Sequence, residues 1–197
     1  MVRLPAHIFT SELESAGVKA VAMRADVADD KACRDTAKMA MKAFGRIDFL
    51  LNNAGTTKFV VGSNLDGLDA DDWQRIFAVN VIGPFQCARA VKEPMLAGGG
   101  GQIINISSVA AFSIKGSSIA YAASKAALNN LTISLARALA PKIRVNAVAP
   151  GFIAGRWLEQ GLKQHYEKAK ATVSSQCPLE RVSEPDDIAA AVAGTDH

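Results

Sequence analysis

The stretch QIINISSVAAFSIKGSSIAYAASKAALNNLTISLARALAPKIRVNAVAPG, residues 102–151, decides the fold. It opens on QIINISSVA (102–110), a largely apolar run that turns polar near its end, as a strand covered on both faces reads. SIAYAASKAALNNLTISLARALAP (118–141) follows as a long helix, and Pro141, which cannot continue one, stops it. KIRVNAVAPG (142–151) returns as a strand and ends on a turn. A strand, a long helix and a second strand form a β-α-β unit, and such units belong to parallel sheets.

Upstream, the same alternation continues. RIDFLLNNAG (46–55) is a continuous apolar run ending in turn residues, and KAVAMRADV (19–27) reads as a further buried strand. Between them, DDKACRDTAKMAMKAFG (29–45) has helical spacing and closes on Gly45. LDADDWQRIFAVNVIGPFQCARAVKEPML (68–96) predicts a long helix capped by Asp69 and bent or divided at Pro84. The glycine run 98–101 is a loop. Residues 152–178 read as a loop with helical pieces, and SEPDDIAAAVAG (183–194) as a short helix with Ser183 as cap and Pro185 in its first turn. With no repeat and no linker, residues 1–197 form a single α/β domain. Ligands of such sheets bind beyond the carboxyl ends of the strands, here NNAG, SS and APG.

Composition excludes several classes. A chain of 197 residues, 49% hydrophobic and 21% charged, buries a core and is neither disordered nor fibrous. The net charge of +3 is small and dispersed, so no nucleic-acid partner is expected. Cys33, Cys87 and Cys177 are odd in number and far apart, which fits reduced thiols in a cytoplasmic setting and no disulfide framework or metal site. No apolar run reaches the roughly 18–20 residues of a membrane span, and the N-terminal stretch turns polar too soon for a secretory leader. Asn105 and Asn130 stand in N-x-S/T matches, but one falls in a predicted strand and the other in a predicted helix.

Tyr121 and Lys125 are one helical turn apart on one face. An ammonium near a phenol favours the phenolate, so the spacing predicts a tyrosine of lowered pKa, able to take and give a proton. The same spacing occurs by chance on many helices. Ser107 and Ser108 end the preceding strand, where a hydroxyl could reach a substrate oxygen or simply cap the loop. Asn80 lies within an apolar helical stretch, IFAVNVIG, and must find partners there; it could hold a water or a backbone group, or mark the bend near Pro84.

NNAG (52–55), Asn80, the Ser107–Ser108 pair, YAASK (121–125) and PG (150–151) occur in this order in short-chain dehydrogenases/reductases. From about Val18 to Ala193 the chain resembles that family, and its 3-oxoacyl-carrier-protein reductases in particular. The resemblance implies a Rossmann-like, doubly wound parallel sheet and an NAD- or NADP-dependent enzyme interconverting an alcohol and a ketone. It makes Tyr121 the general acid/base, Ser108 the residue orienting the carbonyl, and Lys125 the group that tunes Tyr121 and binds the nicotinamide ribose. Asn80 would hold a water in a proton relay. Asn53, Ala54 and Gly55 would line the adenosine side, Asp26 and Val27 would meet the adenine, and Pro150, Gly151 and Ile153 would border the nicotinamide. It further implies a small-molecule carbonyl or alcohol substrate, specificity in the 152–178 loop, and a homodimer or homotetramer built on the helices at 68–96 and 118–141.

Relative to the family, the sequence lacks the first two strands, with the glycine-rich turn between them, and the last strand. The family's strand order would put those first two strands between 19–27 and 46–52. The glycines at 98–101 precede a strand instead of following one, which suits a surface loop and not a phosphate cradle. These departures predict a partial domain, and they raise a second reading: a scaffold or binding protein, or an inactive fragment, without the cofactor's phosphate site. Gly155 stands where the family often has threonine, with Arg156 and Trp157 beyond it as a substrate-loop or interface pair or, for Arg156, a substitute donor. Lys163, Lys168 and Lys170 could meet an acidic carrier or merely solvate a helix.

Overall fold

A computed structural model describes residues 6–113 and 116–196. Three parallel strands, β1 (Phe49–Asn52), β2 (Gly101–Ile106) and β3 (Ile143–Val148), form one sheet in the order β1-β2-β3. The register sets Leu50 beside Ile103 and Ile103 beside Val145. Side chains alternate across a strand, so these three face one layer. There they meet Ala88, Val91 and Met95 of α4 (Gly83–Ala97), with Leu135, Ala136 and Leu139 of α5 (Ile119–Leu139) packed alongside. The opposite face carries Phe49, Gln102 and Arg144. Gln102 and Arg144 donate to Thr195, just past α8 (Pro185–Ala193). Helices on both faces make the sheet doubly wound, as the Rossmann-like reading requires.

The helix ends follow local chemistry. In α2 (Asp30–Phe44), Asp29 caps the start and Gly45 closes it at φ 78°, donating to Met41. α3 (Ala70–Phe77) begins with a capping box between Asp69 and Asp72. The predicted division of the long helix falls at a π turn, Ala78–Ile82, where Gly83 donates to Ala78. Pro84 has no N–H to give the carbonyl four residues back, that of Asn80, and α4 restarts with this proline in its first turn. α8 also starts on a proline, but its cap is Glu184, boxed with Asp187, and not Ser183. Ser183 instead pairs with Ile153, its carbonyl taking the Ala154 N–H and its own N–H donating to Phe152.

Residues 19–27, expected as a buried strand, form none. Val21 and Met23 are exposed, and no strand pairs with this segment. A strand exists by its ladder, and no described neighbour supplies one. The N-terminal stretch contributes α1 (Ala6–Ser15), and the 152–178 loop contains α6 (Arg156–Leu162) and α7 (Tyr166–Gln176). Met1 to Pro5, part of the stretch judged too polar for a leader, lie outside the described residues.

Candidate active site

The C-terminal ends of the strands meet over a buried polar ladder. Asn52 donates to Asn105 (2.9 Å), Asn105 to Thr132 of α5 (2.9 Å), and Thr132 to the Leu128 carbonyl. Asn105 is fully buried, so its N-x-S match is not a surface acceptor. Just beyond the ladder, β2 delivers two serines with different fates. Ser107 turns inward to Asn129 and is structural. Ser108 caps a short 3₁₀ turn and lines the cavity that Tyr121 also lines.

Tyr121 is placed by the start of α5, where the Ser118 hydroxyl accepts its N–H. Burial pushes the phenol above its ordinary value, and a hydrogen bond with Ser108 partly offsets this. That is the opposite of the lowering expected from Lys125. The Lys125 ammonium lies 5.6 Å from the ring centroid and donates to the Ile106 carbonyl at 2.6 Å. Lys125 is 4% exposed, and burial pushes it down to about 8. Desolvation therefore outweighs the pair's mutual influence in the protein alone.

Asn80 is fully buried in the π turn. Its Oδ1 accepts the Thr56 N–H (2.8 Å), and its Nδ2 donates to the Thr56 carbonyl (3.0 Å) and to Ser124 (2.9 Å). Both amide donors are thus committed to the protein, and what Asn80 holds directly is the loop following NNAG. Arg75 binds the Thr56 hydroxyl, and Lys58 pairs with Asp72, so α3 pins the same loop. Thr56 and Arg75 carried no motif in the sequence, and Ser124, though within YAASK, was not singled out; only their contacts reveal them.

The remaining predicted residues divide. Asn53 and Ile153 line one cavity with Phe49, Leu51 and α8. Gly151, Ser108 and Tyr121 line a second, with Phe59 and Trp157. Ala54 and Gly55 continue from β1, with Gly55 beneath the Trp157 ring, and Pro150 takes the Val109 N–H. Val27 packs on Gly83, and its carbonyl accepts from Gln86 and Cys33; Asp26 accepts from Ala28. Gly155 has φ 150°, strained for a threonine, so the exchange there follows the backbone. Trp157 sits edge-on to Tyr121, with ring centroids 6.5 Å apart, and belongs to the cavity wall.

The residues fit the nicotinamide half of a dinucleotide. Tyr121 and Gly151 line one cavity, Ile153 lines the other, and Lys125 donates to the last residue of β2; a Cβ at Gly151 would meet open space, so backbone could approach a ring closely there. The pyrophosphate half is different. Gly98–Gly101 runs from the end of α4 into β2, and Gly100 is pressed against the Lys142 carbonyl. Among the described residues no full glycine-rich phosphate turn leads from a strand into a helix, since Gly151 and Gly155 lie between β3 and α6 with no third glycine beside them, and no group of three or more acidic, histidine or cysteine side chains could hold a metal. No helix of the described residues is long and apolar enough to cross a membrane.

A parallel doubly wound sheet with this Ser, Tyr and Lys arrangement defines the class, and residues 6–194 match the sequence profile of the family described as enoyl-(acyl carrier protein) reductase. The chain belongs to that short-chain dehydrogenase/reductase family of oxidoreductases. It is 34% identical to the 3-oxoacyl-[acyl-carrier-protein] reductase of Synechocystis sp., over 95% of this chain and 72% of the relative. It is 32% identical to the 7alpha-hydroxysteroid dehydrogenase of Bacteroides fragilis, over 97% and 73% respectively. The structure of NAD+-bound xylitol dehydrogenase superposes with a TM-score of 0.85 at 28% identity, over 95% of this chain and 76% of that one.

Proposed function

We propose that the chain carries the catalytic half of an NAD- or NADP-dependent enzyme interconverting a secondary alcohol and a ketone. The observation that carries this reading is the convergence of Ser108 and Tyr121 on one cavity at the strand ends. Tyr121, Lys125, Gly151 and Ile153 would hold a dinucleotide near its nicotinamide, and Asn53, Ala54 and Gly55 further along; when bound it would supply or accept hydride. In reduction, Ser108 and Tyr121 donate hydrogen bonds to the carbonyl oxygen as charge builds there. Tyr121 passes its proton to that oxygen, and in oxidation it takes the proton back. A phenol raised by burial is protonated near neutrality and suited to the acid role. Lys125, buried one turn away, lowers the phenol's cost of ionising once its ammonium is held by ribose hydroxyls. Asp26 and Val27 border the adenine, and Asn80 keeps the NNAG loop in register through its bonds to Thr56. The enzyme works in the cytoplasm as a homodimer or homotetramer.

The test has two parts. Titration with NADH and NADPH, followed by nicotinamide fluorescence, should show saturable binding and a preference between them. Tyr121→Phe should lower turnover by about 10²-fold or more, the range of acid/base catalysis, and weaken cofactor binding far less than it lowers turnover. Activity within a few-fold of wild type would remove Tyr121 from the acid/base role. Loss of binding to both cofactors would favour the scaffold reading, which the absence of a phosphate turn among the described residues supports.

A further inference from the structure

The half-open cavity shared by Ser108 and Tyr121 has a volume of about 660 Å³. Its wall chemistry bears on what can enter. Among the described residues lining it there is no aspartate, glutamate, lysine or arginine. The 152–178 segment presents Leu158, Leu162, Ala169 and Val173 to the cavity at helical spacing. Lys163, Lys168 and Lys170, on the same segment, do not line it, which removes the basis for an acidic-carrier contact inside. The polar side chains from α6–α7 that do line it, His165 and Gln176, are both exposed, so the segment's buried surface is apolar.

The width is fixed by a close approach. A Cβ at Gly161 would overlap the Phe59 ring, so α6 crosses the loop after NNAG with no room for a side chain. That loop cannot easily withdraw. Thr57 bonds Ser117 at 2.7 Å, Val60 donates to the Ser117 carbonyl, and Asn80 holds Thr56. Phe59 and Gly161 thus form a fixed clasp beside the reacting groups. An anion entering would lose its hydration against largely apolar walls, with no described lysine or arginine lining them to repay it. A bulky neutral body would gain by burial against the same walls.

We infer that this cavity takes a neutral secondary alcohol or ketone with a bulky apolar body, in preference to an anionic substrate, and that Phe59 and Gly161 are its specificity-determining residues. The inference rests on the reading that places the reacting carbonyl at Ser108 and Tyr121.

A matched pair of probes tests it: 4-cyclohexylcyclohexanone, and the same bicyclic ketone carrying a carboxylate on the distal ring. Trp157 lines the cavity, so tryptophan fluorescence reports binding to the whole chain directly. The neutral ketone is expected to bind saturably and at least tenfold more tightly than the carboxylate at pH 7.5. Phe59→Ala, which adds no atoms, should weaken neutral binding at least fivefold with an unchanged circular dichroism spectrum. Gly161→Ala should do the same by pushing Phe59 into the cavity; if that variant does not fold, Phe59→Ala decides alone. Equal or tighter binding of the carboxylate, failure of the neutral ketone to bind, or indifference to Phe59→Ala would each overturn the inference. Tight neutral binding without turnover in the presence of NADH or NADPH would overturn the oxidoreductase reading and leave the selectivity standing. Turnover that favours the carboxylate would do the reverse.

Discussion

Lys125 shows most sharply how burial acts on a single side chain. Its ammonium is enclosed, and its pKa in the folded chain falls from an ordinary 10.5 to about 8. Below pH 8 both folded and unfolded chains carry the proton, and the group gives no slope. Between about 8 and 10.5 the unfolded chain binds more protons than the folded one, so stability from this group rises with pH. Urea unfolding of wild type and Lys125→Met from pH 7 to 10 should show wild type gaining on the variant above pH 8. A constant difference across that range would mean that the ammonium is not desolvated. The spacing of Tyr121 and Lys125 was legible in the sequence, whereas the preference for Ser108 over Ser107 came from the family resemblance and not from the residues alone. The sign of the Tyr121 shift was not, because spacing shows which groups are near and not how much water they keep. Asn80 carries a second expectation. Its replacement by alanine leaves the Thr56 N–H without its partner in a half-buried loop. This should cost about 1–3 kcal/mol, the usual penalty for an unsatisfied buried group, read by thermal or urea unfolding.

At the level of elements, the caps make separable contributions. Asp69 accepts the Asp72 N–H, and Asp72 in turn holds Lys58 and Arg75, so the start of α3 is tied to the loop beneath the site. Asp69→Ala should cost about 1 kcal/mol of stability, measured as a shift in urea midpoint with unchanged slope. It should also raise KM more than it lowers kcat, since the loop shapes the cavity and holds no reacting group. No change in either would detach the cap from the site. Asp69, Gly45 and Pro141 were readable because each terminates a helix by its own side chain or backbone freedom. Glu184 was missed in favour of Ser183 because serine is the commoner cap, whereas here Ser183 is drawn into the bridge with Ile153. The π turn was foreseen only as a break near Pro84. Residues 19–27 were misread because an apolar run shows willingness to be buried, and pairing needs a neighbour that the run itself cannot reveal.

Across the whole molecule, β2 is paired on both sides, and β1 and β3 are both edge strands among the described residues. β1 pairs with β2 alone, and its outward residues Phe49 and Leu51 remain 41% and 42% exposed. With Ile188 and Val192 of α8 they line a second apolar cavity, of about 560 Å³, which also includes Asn53 and Ile153. An unpaired apolar edge of this kind invites association, and it adjoins residues proposed to hold the dinucleotide. A fluorescent dye that reports apolar surface should therefore bind the native chain. Leu51→Lys should cut that signal at least twofold without altering helical content. Because Asn53 and Ile153 belong both to this cavity and to the proposed cofactor site, NADH or NADPH should displace the dye competitively. Displacement by neither, in a chain that still binds one of them, would separate the two sites and move the dinucleotide towards the Tyr121 cavity alone. A dye signal untouched by Leu51→Lys would place the exposed apolar surface elsewhere, with Val21 and Met23 the next positions to change.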